Sequence, residues 1–280
     1  MAVTTSQQIT RYFDQFATAE VTFTKEVIAA TRLNTRQIYI KSQGSQWPCI
    51  LYSSSMSSAK ILANLSGSLN EALRNTNSTV QLRFCFYTPD KQDSIAFFVP
   101  ARVAGLHPYG EQNKELFFAS LQFTQRPPDD LIEILGGLLE ANVNAKRRAE
   151  DRIDLTAHSI QQLGIVPSGW SITVAGVQRK VIYRDLSFSG CKTILVGIPK
   201  LLLNKQVTCT FAFTDPDERV SVTGSIVRSD PVEGRSDIAV LGIRFDEETP
   251  MAYKLRINKA LGLFRSKGEK KAEAPETDAT

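Results

Sequence analysis

The sequence has few of the residues on which catalytic and metal sites usually depend. Its 280 residues include two histidines, and no CxxC pair occurs among its cysteines, which are Cys49, Cys85, Cys191 and Cys209. Structural zinc sites use closely spaced cysteine and histidine ligands, so we expect no metal site. His158 lies in a polar segment without a neighbouring nucleophile, which favours a loop histidine over a general base. We therefore expect no catalytic residues, no cofactor and no enzyme activity.

Long apolar runs are missing as well. No stretch approaches the roughly 18 apolar residues of a membrane span, and the first residues lack the basic-then-apolar order of a secretory signal. The cysteines stand in apolar surroundings, which is typical of free buried thiols in a reducing compartment. The formal charge of +4 is too small to indicate nucleic acid by itself, but it suits a small anionic ligand. We expect a cytoplasmic protein.

The first half of the chain contains short strand-like runs separated by turn residues. Apolar residues at helical spacing predict a helix within residues 5–18, and Asp130 is a candidate cap for a helix that ends near Leu139. Turn signals every 8–12 residues favour small antiparallel barrels or sandwiches over a parallel sheet. The predicted strands are Gln37–Ile40, Cys49–Tyr52, Lys60–Ala63, Gln81–Phe86, Ile95–Val103 and Leu116–Phe123.

The second half repeats this order of elements. Its predicted strands are Trp170–Val174, Val177–Tyr183, Lys192–Val196, Val207–Phe213, Val220–Val227 and Ile238–Phe245, and a helix follows from about Met251 to Leu263. Local strings agree too, since Ser55–Lys60 parallels Ser187–Lys192 and Leu121–Phe123 parallels Ile243–Phe245. Two unrelated barrels of similar size would show some of these local similarities by chance. The shared order of the strands and the closing helix nevertheless favours an internal duplication. The predicted fold class is mainly β, with two small antiparallel β-barrels that are each followed by a C-terminal helix.

This interpretation divides the chain into four parts. The first domain takes residues 1–142, a linker takes 143–153, and the second domain takes 154–264. The segment 265–280 has no aromatic or branched aliphatic residue and eight charged residues of its sixteen. Such a composition buries too little apolar surface to order a chain, so we predict a disordered tail.

Two short motifs lie in and after the linker. Arg-x-x-x-Arg occurs at Arg32/Arg36 and at Arg148/Arg152, about as often as chance allows. The rarer motif is Asp-x-Ser-x-x-Gly, at Asp185, Ser187 and Gly190. In this order the two motifs form a specific combination, whereas either motif alone is a weak signal.

These residue types suit a ligand that contains phosphates and guanine. Guanidinium groups pair with phosphate oxygens and with the O6/N7 edge of guanine. Asp185 is able to accept hydrogen bonds from guanine N–H groups, Ser187 offers a hydroxyl to a phosphate or a base, and Gly190 permits positive φ and close backbone approach. The structural alternatives are a solvated basic helix end at 146–152 and an ordinary hairpin turn at 185–190.

With Arg147 before the first motif and barrel strands after the second, the region from Arg147 to Leu263 resembles the PilZ family of cyclic-di-GMP receptors. The resemblance implies that the arginine segment and the strand-end motif clamp cyclic-di-GMP through Arg148, Arg152, Asp185, Ser187 and Gly190. It further implies that Arg147 accompanies binding of a stacked ligand dimer. The 33-residue gap from Arg152 to Asp185 (185 − 152 = 33) is long for the family and predicts a loop near 159–168.

The first half resembles a PilZ-like domain without the ligand motif, the plan of two-domain PilZ proteins of spirochaetes. Ser53 stands where the second half has Asp185, and Ser58 stands where it has Gly190. Arg32 and Arg36 are only 17 residues from this point (53 − 36 = 17), so we interpret them as a chance match. By this resemblance only the second half binds the ligand.

The leading functional hypothesis is a cyclic-di-GMP receptor in which the ligand orders residues 146–152 and changes the arrangement of two domains. Its output would be an unidentified protein partner that governs motility or surface behaviour, by resemblance to the family. The alternative is a nucleic-acid-binding pair of β-barrels, although no strand interleaves basic and aromatic residues as such proteins do.

Overall fold

The computed structural model describes residues 5–64, 69, 71, 77–88, 93–110, 115–214 and 217–272. The chain divides into two compact units, Met1–Glu140 and Ala141–Thr280, which we call unit 1 and unit 2. Most described residues outside the helices belong to antiparallel strands, so the prediction of a mainly β fold is confirmed.

Unit 1 is a closed antiparallel barrel. Strands β3, β2, β5, β6, β7 and β4 are hydrogen-bonded in that order, and pairing of β3 with β4 closes the ring, with β1 beside β3. Helices α1 (Ser6–Gln15) and α2 (Lys25–Thr31) precede the barrel. The strands are β1 (Val21–Thr22), β2 (Tyr39–Ser42), β3 (Ser45–Ser54), β4 (Ser58–Asn64), β5 (Thr79–Tyr87), β6 (Ser94–Pro108) and β7 (Leu116–Phe123).

The described residues of unit 2 form an eight-stranded sheet in the order β10-β9-β13-β14-β15-β12-β11-β8. Strand β10 at one end of this row and β11, next to the last strand at the other end, follow one another in the chain with only Val181 between them, so the row curls until these two strands are neighbours. The strands are β8 (Ile153–Asp154), β9 (Ser171–Val174), β10 (Val177–Lys180), β11 (Ile182–Leu186), β12 (Gly190–Val196), β13 (Gln206–Phe213), β14 (Glu218–Val232) and β15 (Arg235–Phe245). Alternating residues point inward and form the core around Tyr183, Phe211 and Tyr253.

Helix α3 (Asp129–Arg147) follows the last strand of unit 1 and is eight residues longer than predicted. The predicted end at Leu139 is wrong because Gly136 and Gly137 weaken the helical signal in the sequence. In the structure Gly136 has a packing role, since a Cβ there would lie 2.4 Å from the ring of Tyr12. Leu138 and Ala141 are buried on the same helix, so tertiary contacts outweigh the low helix propensity of the glycines.

Within the described residues of unit 2, three further α-helices follow: α4 (Ala157–Leu163), α5 (Pro199–Leu202) and α6 (Met251–Ala272). Helix α4 lies where the sequence predicts a loop, and the side chains of Thr156 and Ser159 form a capping box at its start. Helix α6 extends into the segment predicted to be disordered, as far as Ala272. Residues 273–280 lie outside the described residues, and for them disorder stays a prediction.

The two units correspond without a gap from Val21 to Asn64 of unit 1, over 44 residues (64 − 21 + 1 = 44). A constant difference of 132 relates β2 to β9 (171 − 39 = 132), α2 to α4 (157 − 25 = 132) and β4 to β12 (190 − 58 = 132). Backbone details agree, because Arg32 and Gly164 are both left-handed caps, with φ of 57° and 62°. This correspondence agrees with the internal duplication predicted from the sequence.

Candidate ligand-binding site

The arginine segment of unit 2 begins where α3 ends. Arg147 is its last residue, and the backbone N–H of Arg148 still donates to the carbonyl of Asn144 at 2.8 Å. Asp151 N–H then donates to the carbonyl of Arg148 at 3.1 Å, which forms a turn. Arg147 is exposed and Arg148 is half-buried. Neither guanidinium makes an ion pair with a residue that the structure describes.

Arg152 and Asp185 are brought together across 33 residues of chain. The two-residue strand β8 pairs with β11 and sets Asp154 opposite Asp185. Arg152, just before β8, donates from Nη1 to Asp185 Oδ1 at 2.7 Å. The same Oδ1 accepts from the backbone N–H of Lys192 at 3.0 Å. The Asp185 side chain is 12% exposed and that of Arg152 is 46% exposed, so the pair lies at the surface with its carboxylate fixed in place.

Ser187 and Gly190 form the turn between β11 and β12. The backbone N–H and the hydroxyl of Ser187 both donate to the carbonyl of Gly190, at 2.8 Å and 3.1 Å. Ser187 is fully buried, and its own carbonyl accepts from the Tyr253 hydroxyl at 2.9 Å. Burial raises the pKa of Tyr253 well above its ordinary value, so this hydroxyl keeps its proton. Ser187 therefore shapes the turn, whereas its contact with a ligand stays a prediction.

Position 190 requires a glycine because the backbone of β15 lies very close to it. A Cβ at this position would lie 2.2 Å from the carbonyl oxygen of Ile243 on β15. Gly190 is not among the residues with positive φ, so that part of the sequence interpretation is wrong and the close approach is the reason for the glycine.

Ser189, which belongs to neither motif, connects the arginine segment to the turn. Its backbone N–H and hydroxyl contact the carbonyl of Ala149 at 3.2 Å and 2.8 Å, and its hydroxyl lies 3.0 Å from Glu150 Oε1. Ser57 in unit 1 makes the same contact with the carbonyl of Ala17 at 3.1 Å. The repeated Ser-x-Ser string was the sequence signal that could have identified this tether.

Unit 1 has the same turn with different side chains. Ser53 pairs with Lys60 as Asp185 pairs with Lys192. Glu20 stands at the position of Arg152 (152 − 20 = 132), accepts from the Ser53 hydroxyl and lies 3.5 Å from Lys60 Nζ. Phe16, at the position of Arg148 (148 − 16 = 132), is buried. Unit 1 therefore lacks both the arginines and the carboxylate of unit 2.

The other arginine pair of unit 1 has no counterpart in the arginine segment of unit 2. Arg32 and Arg36 correspond to Gly164 and Ser168 (164 − 32 = 132; 168 − 36 = 132). Arg32 caps α2, and Arg36 lies in the 3₁₀ turn Thr35–Gln37. This placement agrees with interpreting the pair as a chance match.

Within the described residues, no group of three or more histidine, cysteine, aspartate or glutamate side chains is arranged to bind a metal ion. None of the described helices is long and apolar enough to cross a membrane.

Comparison with known proteins matches both halves of the chain. Residues 7–142 match the PilZN3 domain and residues 146–261 match the PilZ domain. A cyclic di-GMP binding protein of Treponema denticola is 40% identical over 266 residues, which cover 95% of this chain and 85% of that protein.

Two solved structures are similar at lower identity. Borreliella burgdorferi PlzA in complex with c-di-GMP is 22% identical, with a TM-score of 0.42 and coverage of 91% of this chain and 98% of that chain. Escherichia coli YcgR in complex with c-di-GMP is 12% identical, with a TM-score of 0.30 and coverage of 88% and 92%. The two domain matches and the Treponema denticola relative show that this chain belongs to the PilZ family, a family of receptors and not of enzymes, as a PilZN3 domain followed by a PilZ domain.

Proposed function

We propose that this chain is a cyclic-di-GMP receptor whose site lies in unit 2. The observation that carries the proposal is the side-by-side placement of two parts of unit 2. The arginine segment is hydrogen-bonded through Ala149 to the turn that carries Asp185, Ser187 and Gly190. The Treponema denticola relative, named as a cyclic di-GMP binding protein, supports the same ligand.

The arrangement suits a cyclic dinucleotide of two guanines and two phosphates. Arg147 and Arg148 lack ion-pair partners among the described residues, so phosphate or guanine acceptors would satisfy them without breaking an existing pair. Asp185 uses Oδ1 for Arg152 and Lys192, while Oδ2 accepts from no described residue and remains for guanine N–H donors. Ser187 and Gly190 maintain the turn that presents Asp185.

The ligand stoichiometry and the output are finer parts of the proposal. We take Arg147 as the residue that accompanies a stacked ligand dimer. Because the arginines lie close to the start of unit 2, within twelve residues of its boundary with unit 1 (152 − 140 = 12), a change in this segment on ligand binding would change the arrangement of the units. It would thereby change the binding of a protein partner in motility or surface behaviour. We expect this to occur in the cytoplasm.

Calorimetric titration with cyclic-di-GMP tests the site. Arg148→Ala is expected to lower affinity about 10- to 150-fold, the equivalent of one charged hydrogen bond. Arg36→Ala is the matched control, because it removes an arginine of the other pair, and it should leave affinity unchanged. Wild-type affinity in Arg148→Ala would place the site elsewhere, and a fitted stoichiometry of two ligands per chain is expected if Arg147 accompanies a dimer.

Small-angle scattering tests the change between units. The profiles of the wild type with and without saturating cyclic-di-GMP should differ, whereas the profiles of Arg148→Ala should coincide at the same ligand concentration. Coincident wild-type profiles would overturn the conformational part and leave ligand binding itself untouched.

A further inference from the structure

A cleft of about 320 Å³ lies in unit 2 beside the 3₁₀ turn Pro167–Gly169. Its walls come from this turn and from strands β9, β10 and β14. The lining residues with polar side-chain groups are Ser168, Trp170, Ser171, Gln178, Lys180 and Arg219. Lys180 precedes Asp185 by five residues (185 − 180 = 5), which is about 16 Å along an extended strand at ~3.3 Å per residue. The cleft is therefore separate from the Asp185 turn.

Strand pairing and one close contact assemble this cleft from distant parts of the sequence. The pairing of β9 with β10 sets Lys180 opposite Ser171. On the other side the 3₁₀ turn lies flat on β13, because a Cβ at Gly169 would lie only 2.5 Å from the Cβ of Ala212. Ala212 is opposite Arg219 on β14, so the same contact brings Arg219 to the turn.

The polar groups of the cleft are mainly hydrogen-bond donors. Lys180 and Arg219 are exposed, and neither makes an ion pair with a residue that the structure describes. Gln178 Nε2 donates to Ser171 Oγ at 2.9 Å, and the hydroxyl hydrogen of Ser171 donates to no described residue. Because Ser171 is 7% exposed, its hydroxyl is held in place. None of the described lining residues is acidic.

Trp170 adds a buried donor to the lining of the cleft. The residue is 5% exposed, and its ring packs against that of Tyr183 with the centroids 5.5 Å apart. Its indole Nε1 is buried and donates to no residue in the described part of the chain. Buried donors are almost always paired in native proteins, and an anionic ligand is the kind of group that would accept from this one.

The corresponding surface of unit 1 has different side chains. Ile38, Tyr39 and Pro48 stand at the positions of Trp170, Ser171 and Lys180 (170 − 38 = 132; 171 − 39 = 132; 180 − 48 = 132). Isoleucine at position 38 is buried without a donor group. The fold of unit 1 therefore forms without the indole donor, the buried hydroxyl and the lysine.

The position of Arg219 also differs between the units. Cys85 accepts from the backbone N–H of Asn34 at 2.8 Å, as Ala212 accepts from that of Val166 at the same distance. Cys85 is opposite Ala96, so unit 1 has alanine where unit 2 has Arg219. At the lining positions of unit 1 the cation is Arg36, in place of Ser168 (168 − 36 = 132). The pair of cations is thus an addition of unit 2 that the barrel does not need.

We propose that this cleft is a second ligand site, which binds the dianionic phosphate group of a small phosphorylated metabolite. Lys180 and Arg219 supply two positive charges, and a phosphate monoester carries a charge of about −2 at neutral pH. Each phosphodiester of a cyclic dinucleotide carries only one negative charge, so it matches this pair less well. Ser171 donates to a phosphate oxygen, and the volume is near the lower limit of about 300 Å³ for small-molecule pockets.

Tryptophan fluorescence of the full chain tests this site. The sequence contains two tryptophans, Trp47 and Trp170, so Trp47→Phe leaves Trp170 as the single reporter. Titration of Trp47→Phe with ribose 5-phosphate at constant ionic strength should give a saturable change in emission, and calorimetry on the wild type should give the same affinity. Acetate, a monoanion, should give no saturable change.

Inorganic phosphate distinguishes the two sources of a phosphate dianion. Binding as tight as that of ribose 5-phosphate would show that the cleft recognises the phosphate group alone. Weaker binding would show that it also contacts the organic part of a metabolite. Both results support a site for a phosphate dianion.

Three variants test the residues of the cleft. Lys180→Ala and Arg219→Ala should each weaken binding of ribose 5-phosphate about tenfold, because each removes a charged contact to phosphate. Arg179→Ala is the matched control, since this exposed arginine is next to Lys180 but lies outside the cleft and donates to the carbonyl of Val196. Its affinity should stay within about twofold of the wild type. Thermal melts of the three variants without ligand should match that of the wild type, so that a loss of affinity reports on contact.

The contrary outcomes are distinct from those of the proposed function. Absence of saturable binding by both methods, or wild-type affinity in both Lys180→Ala and Arg219→Ala, would overturn the second site. Displacement of ribose 5-phosphate by cyclic-di-GMP would also overturn it, because the two ligands would then share one site. If the wild type binds ribose 5-phosphate but not cyclic-di-GMP, the second site stands and the proposed function falls.

Discussion

Units 1 and 2 share a backbone around one turn and differ in the side chains that the backbone presents. In both units a threonine caps the helix after the short strand, Thr24 in unit 1 and Thr156 in unit 2. In both, a serine hydroxyl ties the turn to the preceding segment, through Ser57 and through Ser189. The comparison separates what the fold needs from what a ligand site adds.

The differences concentrate where the site is proposed. Arg152 and Asp185 in unit 2 are Glu20 and Ser53 in unit 1, so the charge of the first residue is reversed while a hydrogen bond between the two positions is kept. Because different residues make this hydrogen bond in the two units, a polar contact at this point contributes to the fold of both. The fold does not require that the two residues be arginine and aspartate. That choice is the argument for a ligand in unit 2.

The largest change in ligand affinity is expected when Arg152 of unit 2 is replaced by glutamate, the residue at the corresponding position of unit 1. Arg152→Glu places a carboxylate beside Asp185, which repels anionic ligand and removes the donor to Oδ1. Cyclic-di-GMP affinity should fall more than 100-fold, the equivalent of one charged hydrogen bond at its upper strength together with repulsion. Isothermal titration measures this. Glu20→Arg in unit 1 is the matched change, and retention of affinity in Arg152→Glu would contradict the assignment.

The next largest effect concerns the turn itself. Gly190→Ala should destabilise unit 2 by about 3 kcal/mol, because the new Cβ would lie 2.2 Å from a backbone oxygen that cannot move freely. Ser58→Ala at the corresponding position in unit 1 should cost less than about 1 kcal/mol. Chemical denaturation of both variants gives the comparison, and equal stabilities would show that the two turns are not constrained differently.

A smaller effect is expected where α6 supports the turn. Tyr253→Phe removes the donor to the buried carbonyl of Ser187 and should cost about 1–2 kcal/mol. Tyr253 is the third residue of α6, and the third residue of α3 is Leu131. Because leucine has no donor group, unit 1 does not have a hydrogen bond from this position to its turn. A thermal melt as stable as that of the wild type would show that the bond contributes nothing to unit 2.

The smallest change in stability is expected at the C-terminal caps of α2 and α4, and its sign is opposite in the two units. Arg32→Gly should stabilise unit 1 by about 1 kcal/mol, since arginine is unfavourable in the left-handed conformation that Arg32 adopts. Gly164→Ala should destabilise unit 2 by at least that amount, because its Cβ would also lie 3.1 Å from the carbonyl of Thr214. Differential scanning calorimetry on the two variants checks both signs, and shifts of the same sign would contradict the correspondence.

The sequence predicts the strands well because their apolar alternation and turn residues are local signals. It predicts short or tertiary features poorly. The two-residue strand β8, which brings Arg152 to Asp185, is too short to leave a pattern. Helix α3 continues through Gly136 because that glycine packs on Tyr12, a contact between residues more than 100 positions apart. Helix α4 was missed because its capping box uses Ser159, and the usual signature at that position is glutamate or glutamine.

In the candidate site, too, the sequence predicts what local motifs encode and does not predict what tertiary contacts determine. The motif names Asp185, Ser187 and Gly190, but only the structure assigns Ser187 to the turn and Gly190 to the approach of β15. The two motifs lie far apart in the sequence, and the contact of Arg152 with Asp185 follows from the pairing of β8 with β11. Side chains that meet through strand pairing leave no trace in local sequence.

The most direct test of the account is a calorimetric titration of cyclic-di-GMP into Asp185→Ser, which gives unit 2 the residue that unit 1 carries as Ser53. The backbone of this turn tolerates serine in unit 1, so the variant should fold. We expect the affinity for cyclic-di-GMP to fall at least about tenfold, because the variant loses the guanine acceptor and the contact that fixes Arg152. A folded variant that binds cyclic-di-GMP with wild-type affinity would contradict the claim that unit 2 binds the ligand at this turn.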